Sequence, residues 1–236
     1  MVDEHLRVVP VVRDEKSLRL AGLVWRRTLL SVTSAKAGLT AAQLLEEPPL
    51  SLHAHTAPRA AARSMLGVDA WYAPLLGDAE EYVAMVGLES FIQYLVEASH
   101  PVLEEPVLHH MSREVIHVDP EAPVYRVWQL MLSRGLAALP VVEKRGKLVG
   151  VVAEHDLLSH GFTRPVLEAE AGPRRGPRVR EVMTTPPVVV AENAPLGEAA
   201  VAMLRRDIGR VYVVDAGGRL RGVVDRSDIV SAWLGE

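Results

Sequence analysis

The sequence predicts an α+β fold built from tandem copies of one strand–helix–strand–strand–helix unit, and three observations lead there. The stretch "LVGVVAEHDLL" from Leu148 returns as "LRGVVDRSDIV" from Leu220. Laid back along the chain, the echo extends without a gap: Met111, Pro123, Met131, Gly150 and Asp156 are each matched 72 residues later, by Met183, Pro195, Met203, Gly222 and Asp228. A fainter copy lies in the first half, where Met65 precedes Pro74 by the nine residues that separate Met131 from Pro140, and Met1 precedes Pro10 by the same nine.

The elements follow in chain order. "RVVPVV" from Arg7 and "RLAGLVW" from Arg19 make an apolar strand pair. Met1 falls where the other copies carry a methionine inside their first helix, so this copy lacks its first strand and most of that helix. The expectation is a truncated or misassigned start, with a gap filled from elsewhere as the alternative, because a bare strand face would expose apolar surface. The second copy opens on "PLSL" at Pro49 and has Ala84 where Gly150 stands. In the third and fourth copies, "VIHV" and "VVVA" read as short first strands. Helices follow, because apolar residues recur at i, i+3, i+4 and i+7: Val124, Val127, Trp128 and Met131, then Leu196, Ala199, Ala200 and Met203. Pro123 and Pro195 stand where a first helical turn tolerates proline. The strand pairs "LAALPVV" with "KLVGVVA" and "RVYVVD" with "RLRGVVD" are joined by the turns "EKRGK" and "DAGGR", and a last helix starts near each aspartate. The expected boundaries are 1–38 and 39–100 for a degenerate pair (1–100), then 101–165, a linker 166–177 and 178–236 for a second pair (101–236).

At 236 residues and 49% hydrophobic content the chain has enough apolar material for one large core or two modest ones. The absence of cysteine removes disulfides and thiolate chemistry. No apolar run reaches bilayer length and "MVDEHLRVVP" lacks the pattern of a signal peptide, which points to the cytoplasm. A formal charge of -4 argues against sequence-blind nucleic-acid binding. The stretch "EAGPRRGPRVR" from Glu170 reads as a solvated connector.

Once assembled, "VREVMTTPPVVVAENAPLGEAAVAMLRRDIGRVYVVDAGGRLRGVVDRSDIV" resembles a cystathionine-beta-synthase (CBS) domain, and so does "HHMSREVIHVDPEAPVYRVWQLMLSRGLAALPVVEKRGKLVGVVAEHDLL". Both match the unit end to end; the first two copies match largely by spacing. The resemblance implies that the units pair through their sheets into Bateman modules, and that two modules stack into a flat, pseudo-twofold disc. It further implies clefts that bind adenosyl compounds such as AMP, ADP, ATP or S-adenosylmethionine, and a regulatory role without catalysis.

Gly150 and Gly222 lie in strands where a side chain would obstruct close approach, and an aspartate six residues on begins a helix. Asp156 and Asp228 either favour that helix start or accept hydrogen bonds from both hydroxyls of a ribose; the resemblance implies the second. The family usually has Ser or Thr three residues after the glycine, where this chain has Ala153 and Asp225. Ala153 forfeits a hydrogen bond of about 0.5–1.5 kcal/mol, and Asp225 would repel a phosphate unless a metal or an arginine intervenes. Arg210 stands where family members direct a basic side chain at phosphate. Arg226 either offers its planar fork to phosphate or neutralises Asp225 and Asp228 at the surface. By resemblance, Ile116 and Val188 present backbone groups and an apolar face to adenine.

In the first half the aspartate positions hold Thr28 and Ser90, and the hydroxyl positions Trp25 and Gly87. That half is expected to be a scaffold or partner surface, with Trp25 filling the cleft and Trp71 in the core. Among nine histidines, "LHHM" (His109, His110) and "LHAH" (His53, His55) stand out, but no spacing makes a set of three ligands and no metal is expected. Walker loops and nucleophile elbows are missing from the sequence. The resulting expectation is a non-enzymatic regulator, requiring no cofactor, that binds an adenine nucleotide or S-adenosylmethionine in the cleft of 101–236. It would signal by conformational change to a protein partner, as a homo-oligomer or a single-chain disc, without membrane or nucleic acid. A ligand-free scaffold is the alternative.

Overall fold

The computed structural model describes residues 6–30, 40–160 and 176–236. The expectations about Met1, the boundary at 38 and most of the linker 166–177 lie outside the described residues. The first repeat contributes β1 (Val8–Val12), β2 (Leu20–Trp25) and α1 (Arg26–Leu30). The second runs β3 (Leu52–His53), α2 (Pro58–Gly67), β4 (Tyr72–Leu76), β5 (Tyr82–Gly87) and α3 (Leu88–Glu97). The third has α4 (Val124–Arg134), β6 (Ala138–Val142), β7 (Leu148–Ala153) and α5 (Glu154–Ser159). The fourth has α6 (Val179–Val182), β8 (Val189–Ala191), α7 (Leu196–Arg206), β9 (Arg210–Val214), β10 (Leu220–Asp225) and α8 (Arg226–Leu234).

The repeat is structural as well as textual. All four antiparallel hairpins share one register, pairing Pro10 with Leu23, Pro74 with Met85, Pro140 with Val151 and Tyr212 with Val223, and each register shifts near the same end. First strands are shorter than the sequence predicts. "VIHV" forms only a single bridge, Val118 to Val141, because a turn closed by Asp119 begins at the next residue. "PLSL" contributes Leu52 alone, with His53 as the second residue of β3. Pro123 and Pro195 sit one position earlier than expected: both are extended N-caps, just before α4 and α7 begin.

Strand faces join sequence neighbours. Val8 and Leu23 pack with Tyr72 between the first and second repeats, and Val142 and Leu148 with Tyr212 between the third and fourth. Helices join alternate repeats. Met65, Leu88, Ile92 and Leu95 share a core with Leu196, Met203, Ile229 and Val230, and α1 lies against α5. Each repeat thus meets one neighbour through its strands and another through its helices, and one chain closes the ring of four. The largest shared core lies between repeats two and four, so the wall it builds beside α8 positions the site.

Candidate functional site

Where the fourth repeat begins, Met183 and Thr184 cross the open edge of β7, the Thr184 amide donating to the Val151 carbonyl at 2.8 Å and the Val151 amide to the Thr184 carbonyl at 3.0 Å. The third repeat returns the contact: Met111 and Ser112 cross β10, with Ser112 and Val223 exchanging bonds of 2.9 Å each. The same crossing recurs in the first half, where Glu46 and Leu23 exchange bonds of 2.9 Å. The repeated spacing of glycine now has a cause. A Cβ on Gly150 would lie 2.6 Å from Met183 Sδ and one on Gly222 2.7 Å from Met111 Sδ. The close approach at both positions is therefore made by the partner repeat's own chain.

Both aspartates sit at the third position of a helix, and each accepts from the amide of the residue that caps it. Asp156 Oδ2 accepts from the Ala153 amide at 2.7 Å, and Asp228 Oδ2 from the Asp225 amide at 2.8 Å. That leaves one oxygen each, so helix capping and ligand binding are not exclusive. The two sites then diverge. Asp156 Oδ1 accepts the Thr184 hydroxyl at 3.1 Å, which latches its second oxygen. Asp228 instead lines an open cavity, a surface depression of about 390 Å³, with Ser227 and Ser231 from α8 and Arg63, Leu66 and Gly67 from α2. Repeats two and four wall that cavity, whereas the sequence reading places the cleft between repeats three and four. The cause is the helix-to-helix core, which brings α2 against α8.

Burial pushes the Asp228 carboxyl up to about 7, with the charge of Asp225 adding to the rise against the Asp225 amide and Arg210. Burial also raises Asp156, opposed by the Ala153 amide and the Thr184 hydroxyl. Asp225 caps α8, accepting from the amides of Ser227 at 2.9 Å and Asp228 at 3.3 Å. Ala153, at the matching place in α5, has no side-chain group to offer.

Arg226 corrects the sequence reading most sharply. Only 1% exposed, it neither faces solvent nor neutralises Asp225 and Asp228. Its guanidinium spans to the second repeat, bonding Glu89 at 2.8 Å and the Tyr72 hydroxyl at 3.0 Å, and reaches Asp207 at 3.4 Å. Arg210 lies over the Trp71 ring at 5.8 Å and donates to the Ala138 carbonyl at 3.4 Å. Trp71 is accordingly half-buried at the junction with repeat four, where it excludes a side chain from Gly209. Trp25 packs between repeats one and two, 6.4 Å from the Tyr72 ring.

Ile116 is 39% exposed and Val188 gives its carbonyl to the Tyr212 amide at 3.4 Å. Sequence reasoning missed Thr184, Arg63 and Ser231. It also missed Tyr212, whose buried hydroxyl has no partner among the described residues and whose pKa burial pushes up to about 12. Thr184 follows a repeated methionine, the one available signal; Arg63 carries none. In the first repeat Thr28 donates its hydroxyl to Glu46, the Asp156–Thr184 latch with donor and acceptor exchanged.

Comparison with known proteins gives the family and the fold. The CBS domain family model matches residues 107–162 and 179–235. Protein MJ1404 of Methanocaldococcus jannaschii is 36% identical over 126 residues, 51% of this chain and 30% of that protein. The solved CBS-pair protein CBSX2 of Arabidopsis thaliana is 30% identical, covering 56% of this chain and 95% of that one at a TM-score of 0.50. Protein MJ1225 of Methanocaldococcus jannaschii matches nearly the whole fold, with a TM-score of 0.82 over 98% of this chain and 89% of that one at 19% identity. The chain spans between 22% and 61% of the length of the first four curated relatives it matches. No helix among the described residues is long and apolar enough to cross a membrane.

Proposed function

We propose, from the premise that this chain belongs to the CBS domain family, that it is a regulatory sensor of an adenosyl compound rather than an enzyme. The observation that carries the reading is Asp228: an unlatched carboxyl oxygen on the wall of an open surface depression of about 390 Å³ between α2 and α8. An ionised carboxylate there accepts from both hydroxyls of a ribose, and the Ser227 and Ser231 hydroxyls add neutral partners beside it. Arg63 supplies the cavity's positive charge, at present engaged by Glu236 at 2.9 Å. CBSX2, the Arabidopsis relative, has been crystallised in complex with AMP.

In this reading the fourth repeat holds the ligand with α2 of the second as the facing wall, and occupancy changes the angle between repeats two and four. The output passes to a protein partner that recognises the altered rim. The ligand-free scaffold is favoured at one place, Asp156, whose oxygens are both used internally. Titration calorimetry with AMP, ADP, ATP and S-adenosylmethionine tests the proposal. One of them is expected to bind the full chain and to weaken at least tenfold in Asp228→Ala. Failure of all four at millimolar concentration with folded protein overturns it.

A further inference from the structure

The two histidines of "LHAH" are one ligand short in the sequence, and the fold supplies the third. β3 pairs in parallel with β4, placing His53 opposite Leu76, and the Ala54 amide bonds the Leu76 carbonyl at 2.8 Å. The chain leaving β4 then turns through Gly77 and Asp78 directly beside the histidines. His53 Nε2 lies 3.1 Å and His55 Nε2 4.0 Å from the same Asp78 oxygen, Oδ1, and one donor atom from each residue falls within 4.8 Å of the others. The rings sit 5.3 Å apart between centroids.

We propose that His53, His55 and Asp78 form a zinc(II) site on the second repeat, separate from the Asp228 cavity. Two imidazoles and one carboxylate are a zinc donor set with the fourth position left to water. Bonds of about 2.0–2.1 Å put tetrahedral ligand atoms roughly 3.3 Å apart, a spacing His53 and Asp78 already meet at 3.1 Å and His55 exceeds at 4.0 Å. Backbone bonds hold both ligand-bearing turns. Thr56 bonds the His53 carbonyl at 2.9 Å, and Gly77 bonds the Glu81 carbonyl at 2.9 Å while Glu81 Oε2 takes the Ala79 amide at 2.9 Å. Only side-chain rotation is then needed to close the His55 gap. Metal at His53 Nε2 moves the ring proton to Nδ1, so the long 3.3 Å contact from the His55 amide opens. The site abuts the first repeat, because Tyr82 bonds the Leu18 carbonyl and Arg19 bridges to Glu81 just beyond the turn. Zinc there stiffens the junction between repeats one and two.

Zinc(II) titrated calorimetrically into the chelator-treated full chain is expected to show one tight equivalent. Cobalt(II) in its place is expected to give the visible absorption of a tetrahedral ion. His55→Ala and Asp78→Asn, both at exposed side chains, should weaken zinc at least about tenfold, while His117→Ala, remote in the third repeat, leaves it unchanged. A thermal midpoint raised by zinc in the parent chain and not in the two variants gives a second readout. Absence of binding at micromolar zinc to folded protein, or equal affinity in parent and variants, overturns the assignment.

Discussion

Asp156 and Asp228 occupy the same position in two copies of one unit, cap their helices alike and lie beside the same crossing segment, yet one is latched and the other open. The frame is set by residues that admit little choice: a glycine under a methionine, an amide opposite a carbonyl. The chemistry is set by one neighbour. Thr184 beside Asp156 has its counterpart in Ser112, whose side chain makes no bond to Asp228 among the described residues. Two equal frames therefore carry different chemistry: one carboxylate is held in a joint, and the other lines an open depression beside α2.

The largest effect that would break this comparison lies in the wall of the open side. Arg226→Met leaves Glu89 and the Tyr72 hydroxyl without their buried guanidinium while Asp207 keeps Arg7, and unfolding in urea should show a loss of about 2–3 kcal/mol. A variant as stable as the parent would mean that repeat two does not brace Asp228. Next, Gly150→Ala and Gly222→Ala should each cost about 1–3 kcal/mol by overpacking the crossing methionine. The two losses should match within error, since the steric gaps match; unequal losses would show that the frames differ too.

Titration sharpens the contrast further. A carboxyl that folding raises to about 7 contributes stability that is fully present below its unfolded pKa of about 4 and lost as pH rises through about 7. Asp228→Asn should remove that loss, so the variant gains on the parent between pH 5 and pH 8 in urea titrations. A parent whose stability is flat over this window, after correction by the variant, contradicts the buried environment assigned to Asp228. Ligand binding should also release a proton near pH 6.5, seen as a dependence of calorimetric heat on buffer ionisation, because ribose favours the ionised form. The smallest effect belongs to Thr184→Val, at about 0.5–1.5 kcal/mol. It frees Asp156 Oδ1, and a second binding equivalent appearing in this variant alone would show that the latch is what separates the clefts.

Much of the fold was legible because its markers are steric. Glycine at 150 and 222 is demanded by the close approach of Met183 and Met111, and proline at 123 and 195 marks a helix start, so spacing alone located the hairpins and long helices of the C-terminal half. "VIHV" misled because alternation reports an extended chain but says nothing about how many residues find a partner before a turn intervenes. The site was half legible. Asp156 and Asp228 could be picked out by period, whereas the latch at Thr184 depends on a crossing 28 residues away and the burial of Arg226 on Glu89, 137 residues away. Asp78 escaped notice for the same reason: its nearness to His53 is a product of parallel pairing.

The two crossings that bind the C-terminal pair are mutual, each repeat's leading segment lying on the other's sheet. Neither copy can peel off by releasing its own arm alone, since the other arm still grips. Like clasped hands, the pair should let go all at once, so partly detached forms of this half would be scarce and its hydrogen exchange should follow a single opening event across β7 and β10.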